Sequence, residues 1–289
     1  MMPFERQRIS WKVREGEISL AARTAIAGAL DLSLQASAEK PDPAKCLDIA
    51  QQFEEEGAAL VELTVLATPA EGKVVDSDSE LRRLVPVLRK LRSRLQIPIA
   101  VATYNSETAE RALELDTHVI RDPSGLAFDP ALAKKVVDAR AGLVLGHGPG
   151  GPLSWKGGRP IAGLAEAVSG DLDSALARAR AAGFARREVV IDLGLGVGKQ
   201  GIQNFGILDR LIGFSKLGQA LMISSFGQRF LTDSVCSSDE EQLVSEAAFS
   251  AIAARSGAHI IRTQNVARMV AATRVADLLV EARDASSTD

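Results

Sequence analysis

The sequence predicts a closed (β/α)₈ barrel, and three observations carry that prediction. Eight short apolar, β-branched runs alternate with longer helical segments from residue 24 almost to the end. Most of the runs are nearly continuous in apolar residues rather than alternating, as parallel strands covered on both faces require. The chain has 289 residues, enough for one α/β barrel of about 250 residues and its trimmings. A doubly wound open sheet is the alternative that the same alternation permits.

The elements follow in order. Ile9 to Leu20 holds two short β-like runs around Glu15-Gly16, a hairpin turn that would let this segment plug the N-terminal end of the barrel. The strand candidates are TAIAGALDL from Thr24, AALVELTVL from Ala58, IPIAVAT from Ile97, HVIRD from His118, GLVLGH from Gly142, EVVIDLGLG from Glu188, ALMISS from Ala220 and HIIRT from His259. The helices between them have readable ends. Asp42 followed by Pro43 is a cap and first-turn pair. Ser77 with Glu80, and Ser238 with Glu241, have capping-box spacing. Gly57, Gly183, Gly218 and Gly257 stand where a helix must stop before the next strand. The division expected is a capping hairpin over residues 1–22, a TIM-type barrel over 23–283 and a frayed tail over 284–289.

Composition excludes several classes of function. Lys plus Arg number 34 against 37 Asp plus Glu, with no basic block, so nothing recommends nucleic acid as a partner. The longest apolar runs are too short to span a bilayer, and Met1 to Leu20 has no apolar signal core. The two cysteines, Cys46 and Cys236, form no C-x-x-C pair, so neither zinc nor a disulfide framework is expected. A cytoplasmic protein without a membrane partner is the expectation.

A barrel binds ligands on the loops that follow its strands. The best-marked of these is IDLGLGVGK, Ile191 to Lys199. Asp192 ends a buried strand, three alternate glycines follow, and Lys199 stands just before the next element. Glycines allow backbone N–H groups to come close to a ligand, and a strand end holds a carboxylate rigidly. The spacing is not that of a phosphate-binding P-loop, and it lacks the G-x-G-x-x-G order of a dinucleotide turn. A plain turn with a solvated lysine is the competing reading.

With its surroundings, this stretch resembles the dihydropteroate synthase family, whose D-P-G-x-G-F-G-K pattern followed by an Asn stands here as Asp192 to Lys199 with Asn204. Further matches keep the same order. GALDLS from Gly28 resembles G-I-L-N-V-T, and IPIAVATYN from Ile97 resembles I-P-I-S-I-D-T-Y-K. VIRDPSGL from Val119 resembles I-I-N-D-I-S-G, VLGHG from Val144 resembles V-L-M-H-M, and IIRTQNV from Ile260 resembles I-V-R-V-H-D-V. The resemblance implies this barrel and a condensation of a dihydropterin-methyl pyrophosphate with p-aminobenzoate. It implies a pterin substrate, and Mg²⁺ only if the pyrophosphate reaction is retained; no other cofactor is expected. It also implies a homodimer through the last helices, Glu240 to Ser256 and Val266 to Glu281.

The family's site residues carry over unevenly. Asp192, matched to the pterin-gripping carboxylate, is present, as are Asp122, Lys199, Asn204 and Arg262, and His147 matches a family histidine. The third-strand Asp is Ala102, the fourth-strand Asn is Arg121, the lysine after strand seven is Gln228, and the histidine two residues after Arg262 is Gln264. The first-strand Asn is Asp31, which adds negative charge where the leaving group would sit. The T-P-D-S-F loop has no counterpart in Ser33 to Ser37, and S-T-R-P is reduced to Ala67-Thr68-Pro69. Losing one hydrogen bond to a charged group costs on the order of 1.5–3 kcal/mol, so several losses together would abolish useful affinity.

Arg121 goes beyond an absence. Its guanidinium can make a bidentate pair with Asp192 and imitate the pterin edge. Self-occlusion of the pterin slot is therefore expected, leaving a degenerate synthase that binds another pterin-like or anionic small molecule, or none. A working synthase with a rearranged site, a pterin-dependent methyltransferase acting with a corrinoid protein, and a non-catalytic scaffold are the competing functions. Plainer roles attach to the remaining candidates. His118 and His259 lie at strand starts, the stability face of a barrel. Glu62, which ends the second strand, suits a place in the site or, as the plainer role, a buried pairing with Arg121 or Arg262, and Tyr104 and Phe128 are expected to pack. His147 suits a simple hydrogen bond as well as a site role, and Gly146 to Pro160 suits either a lid or a surface loop.

Overall fold

A computed structural model describes residues 7–20, 23–33, 40–66, 74–155, 162–225, 229–235 and 238–286. Eight parallel strands close into a barrel: β3 (Ala25–Asp31), β4 (Leu60–Thr64), β5 (Ile99–Ala102), β6 (Val119–Asp122), β7 (Gly142–Gly146), β8 (Val189–Asp192), β9 (Ala220–Ser224) and β10 (Ile260–Thr263). Each predicted run supplies one strand, in sequence order, and β10 closes the ring against β3. The open sheet is thereby excluded.

The helices lie between the strands: α1 (Pro43–Glu55), α2 (Ser77–Arg92), α3 (Ser106–Glu114), α4 (Ala131–Asp138), α5 (Leu164–Ala182), α6 (Gly201–Asp209), α7 (Arg229–Val235), α8 (Asp239–Arg255) and α9 (Val266–Ser286). Asp42 caps α1 through Ala44 N at 2.8 Å, and Ser238 caps α8 through Glu241 N at 3.3 Å. The start of α2 corrects the expected cap by one residue. Asp76, not Ser77, accepts from Ser79 N at 2.7 Å, because a carboxylate is at least as good an acceptor there as a hydroxyl. Gly57, Gly183, Gly218 and Gly257 all have positive φ at helix ends, as a left-handed stop requires. α9 keeps a helical backbone through Ser286, so residues 284–286 of the expected tail are helical, and 287–289 lie outside the described residues.

The hairpin pairs β1 (Ile9–Val13) with β2 (Gly16–Leu20). Val13 faces Gly16, so Arg14 and Glu15 form the two-residue turn rather than Glu15-Gly16, and Glu15 takes the positive φ. Strand alternation turns Trp11, Val13, Ile18 and Leu20 to one side. There they join Ala27, Leu60, Ala100, Val119, Val144, Val190 and Ile260, the inward residues of the barrel's lower layer. Trp11 is fully buried and donates to the Glu188 carbonyl at 3.2 Å. The hairpin is the plug that the sequence predicted.

The same period of two fixes what faces inward at the other end. Counting up two from each lower-layer residue gives Glu62 and then Thr64 on β4, Ala102 on β5, Arg121 on β6, Asp192 on β8 and Arg262 on β10. The intervening residues, including Leu63, Ile120, Ile191 and Ile261, belong to the apolar layer between strands and helices.

Candidate functional site

Four charged side chains meet at the upper end of the barrel: Asp192, Arg121, Glu62 and Arg262. All are buried, Glu62 completely. Arg121 donates to Asp192 Oδ2 from Nε at 3.0 Å and from Nη2 at 2.8 Å. Both donors converge on one oxygen, which corrects the expected two-oxygen fork. The other oxygen, Oδ1, accepts from Gly194 N at 2.9 Å.

Glu62 stands between the two arginines. Its Oε1 accepts from Arg262 Nε at 2.6 Å and from the Thr64 hydroxyl at 3.2 Å, and lies 3.7 Å from Arg121 Nη1. Arg262 also donates to Thr64 Oγ1 at 2.7 Å and to Ser224 Oγ at 3.3 Å. Two carboxylates and two guanidiniums thus form one alternating chain with no net charge. Burial opposes the charge on Glu62, but Arg262 and Arg121 overcome it and hold its carboxyl below the usual range. Burial likewise opposes the charge on Arg121, and Glu62 with Asp192 outweighs it, so the guanidinium is held more firmly protonated than in water.

An apolar cluster lies beside this chain. Ala102, which pairs in register with Arg121, packs with Leu66, Tyr104, Trp155 and Val197. Tyr104 and Trp155 are buried and meet edge-on, with Phe128 edge-on to Tyr104 at 4.9 Å. The carboxylate absent at Ala102 has therefore given way to hydrocarbon contact. Trp155 belongs to the segment that sequence left open between lid and loop. In its described part Pro152 and Trp155 are buried while Leu153 is exposed, and residues 156–160 lie outside the described residues.

The glycine-rich loop is bound to itself. A Cβ at Gly194 would come within 1.9 Å of the His147 carbonyl oxygen, and one at Gly198 within 2.7 Å of Pro149, so both positions require glycine for close approach. The Gly194 amide is taken by Asp192, and the Gly196 amide by Asn204 Oδ1 at 2.8 Å. Asn204, fully buried, also donates to the carbonyls of Gln200 and Gly201. Lys199 points into the loop, donating to the carbonyls of Gly194 at 2.6 Å, Val197 at 3.1 Å and His147 at 3.3 Å. Three acceptors match the three protons of an ammonium group. Burial pulls its pKa down to about 7 against the attraction of Asp192 and Asp171.

Other predicted site residues lie away from the four-charge chain. His147 Nε2 is 3.1 Å from Asp171 Oδ2 on α5, so the ring points to the helical layer. Burial, reinforced by Lys199, lowers its pKa to about 4 against Asp171. Asp122, one residue past Arg121, faces outward and accepts from the amides of Ser124 and Leu126 at 2.8 and 2.7 Å. Burial raises its carboxyl despite those bonds. Asp31, at the end of β3, accepts from Ser33 N at 2.9 Å. Gln228, the Leu34 to Ser37 part of the first loop and Ala67-Thr68-Pro69 lie outside the described residues. Among the described residues no group of three or more His, Cys, Asp or Glu could hold a metal ion.

Thr64 and Ser224 were not singled out from the sequence as partners of Arg262, although Thr64 lies two residues beyond Glu62 on the same face. Two buried glutamates were also missed. Glu246 on α8 accepts from Ser225 Oγ, Thr263 Oγ1 and Asn265 Nδ2 at 2.6–2.8 Å, tying together the loops after β9 and β10. Glu80 on α2 accepts from Thr103 Oγ1 at 2.7 Å, which fixes the turn leading to Tyr104.

Residues 31–264 match the family model described as pterin binding enzyme. The chain belongs to the dihydropteroate synthase family. A dihydropteroate synthase of Mycobacterium leprae is 30% identical over 230 residues, spanning 76% of this chain and 80% of that protein. That of Synechocystis is 27% identical over 228 residues, spanning 77% of this chain and 78% of its own. Among solved structures, the Thermus thermophilus enzyme in complex with 4-aminobenzoate superposes with a TM-score of 0.80 at 26% identity, covering 94% of this chain and 99% of that one. The Clostridium difficile enzyme in the presence of pteroic acid gives 0.81 at 26% identity, covering 89% and 97%. Family membership and barrel agree with the resemblance read from the sequence. No helix among the described residues is long and apolar enough to cross a membrane.

Proposed function

We propose that this chain is a diverged dihydropteroate synthase homologue that does not condense dihydropterin-methyl pyrophosphate with p-aminobenzoate. One observation carries the reading: the Arg121 guanidinium occupies Asp192 at 2.8 and 3.0 Å. A pterin presents its amino-pyrimidine edge to a carboxylate much as a guanidinium does, so Arg121 supplies from within the chain the partner that a substrate would bring. A pterin must break a buried, charge-assisted pair before it can bind. Ala102 offers it no second carboxylate, and Tyr104 and Trp155 pack against that position.

Supporting this reading, the amides of Gly194 and Gly196 are already engaged. The alternating charges leave the mouth neutral, so nothing there favours a multiply charged leaving group. A turnover assay with both substrates tests the proposal. No dihydropteroate should form, and failure to rescue a folate-requiring strain should accompany that result. Formation of product at a rate typical of enzymes, about 1 s⁻¹ or more, would overturn it and establish a working synthase with a rearranged site.

The same reading includes a homodimer through α8 and α9. Val244 and Ile252 on α8, with Val275, Leu278 and Leu279 on α9, are each about half exposed or more. Apolar side chains grouped on adjacent helices are a surface suited to a second copy. The partner ligand in this account is a small molecule, pterin-like or anionic, admitted only when the charge chain opens.

A further inference from the structure

We infer that the Glu80 carboxyl is a neutral acid whose proton pins the loops after β4 and β5 at the mouth, and that rising pH releases them. The inference concerns those loops alone and stands whether or not Arg121 excludes a pterin. A comparison of buried glutamates carries it. Glu62 is flanked by two arginines. Glu246 spends both oxygens, with Ser225 and Thr263 on one and Asn265 on the other. Glu80 has neither device. It is fully buried, Oε2 accepts from Thr103 Oγ1, and Oε1 has no hydrogen-bond partner among the described residues.

No ion pair balances Glu80 among the described residues. Arg83, one turn further along α2, donates to the carbonyls of Leu32 and Ser33, and Arg82 to Ser79 Oγ. Glu107 on α3 accepts from Ser77 Oγ. Tyr104, after β5, has its phenol pushed up by burial and stays neutral. The strongest charge acting on Glu80 is that of Asp76, the cap of α2, and it is negative. A buried carboxyl in such a place keeps its proton rather than its charge. Burial accordingly holds it above the usual range, against the pull of Thr108, Thr103 and Asn105.

The hydroxyls place the proton. Thr103 Oγ1 accepts from Asn105 N at 3.0 Å and gives its own proton to Glu80 Oε2 at 2.7 Å. Oε2 is therefore the carbonyl oxygen of the acid. Oε1 carries the proton, toward Thr108 Oγ1, which is fully buried on α3 and likewise lacks a partner among the described residues. From Thr103 the bonds run on to the mouth. Asn105 Nδ2 donates to the Val75 carbonyl at 3.0 Å, and the Val75 amide donates to the Tyr104 hydroxyl at 3.2 Å. Tyr104 packs beside Ala102. With these loops released, Glu80 is hydrated and ionises in its ordinary range, near 4.5. With them pinned, it keeps its proton to higher pH. Pinning is therefore favoured in full below that range and weakens as pH rises above it.

Glu80→Gln tests this, because an amide is as neutral as the acid and keeps a donor and an acceptor. Thermal unfolding of wild type and variant is compared from about pH 5 to about pH 8, so that the titration of other groups cancels. The variant should gain on wild type as pH rises, by about 2–4 °C in Tm. Amide exchange at Val75 and Asn105, corrected for its intrinsic pH dependence, should lose protection about 10-fold in wild type over that range and hold in the variant. A Tm difference that does not change with pH, or equal loss of protection in both proteins, would overturn the inference. Should Glu80→Gln not fold, the wild-type exchange profile decides alone, and constant protection at Val75 and Asn105 overturns it.

Discussion

Arg121 Nη2 and Nε both donate to a single oxygen of Asp192, at 2.8 and 3.0 Å, while the other oxygen is taken by the Gly194 amide. The carboxylate therefore holds a strand, a loop and a neighbouring side chain at once. Breaking such a buried pair from one side costs about 3–5 kcal/mol, because the surviving charge stays buried. Asp192→Leu and Arg121→Leu should each lower the urea-unfolding free energy by roughly that amount. The double variant should be much less destabilised than the sum. Additive losses would mean that the two side chains are not energetically coupled.

The glycine-rich loop should behave as a structural clamp. Asn204→Ala leaves the Gly196 amide without its acceptor and should cost about 1–3 kcal/mol. Gly194→Ala adds a Cβ that meets the His147 carbonyl at 1.9 Å, in a backbone conformation with φ of +61°, and should cost more. Denaturant midpoints of the two variants check this, and an unchanged midpoint for Gly194→Ala would contradict so close an approach between the loops after β7 and β8.

Stability should fall in mild acid. The His147 pKa is lowered from 6.5 to about 4 in the folded protein, chiefly by burial. The unfolded chain therefore binds the extra proton first, and stability rises with pH through the interval between about 4 and 6.5. The contribution is present in full above the upper value and is lost as pH falls toward the lower one. His118, lowered by burial and by Arg92, acts in the same direction. For His147 the loss is on the order of 3 kcal/mol. His147→Asn should flatten the stability–pH curve in that interval, and an equal slope in variant and wild type would exclude His147 as its source.

The apolar face on α8 and α9 makes a separate prediction. Val275→Asp and Leu279→Asp place charges on positions that are 62% and 56% exposed in the single chain. Neither should disturb the fold, and both should convert a dimer to a monomer in light scattering behind size exclusion. A wild-type protein that runs as a monomer would remove the dimer from the account.

Much of this was legible before the structure. The strand runs gave all eight barrel strands, because parallel strands buried on both faces leave an apolar signature that short loops do not blur. The parity of each strand then separates Arg121, which faces inward, from Asp122, which does not, and sets Arg121 near Asp192 two strands away. Other features depend on distances that one chain does not encode. Lys199 is captured by three backbone carbonyls, one of them from the loop after a different strand, and a carbonyl leaves no trace in residue type. Trp155 packs beside Ala102 from a loop 53 positions later, so neither residue announces the other. The pairing of Glu62 with one of the two arginines is legible in the sequence; that it reaches both follows from how far each side chain extends, which parity alone does not decide.

The central claim, that Arg121 fills the pterin slot, is tested most directly by calorimetric titration of a dihydropterin-methyl pyrophosphate into wild type and Arg121→Asn. Wild type should show no measurable binding, with a Kd weaker than about 1 mM, and the folded variant should bind measurably once Asp192 is released. Tight binding to wild type, unchanged or weakened in Arg121→Asn, would contradict it.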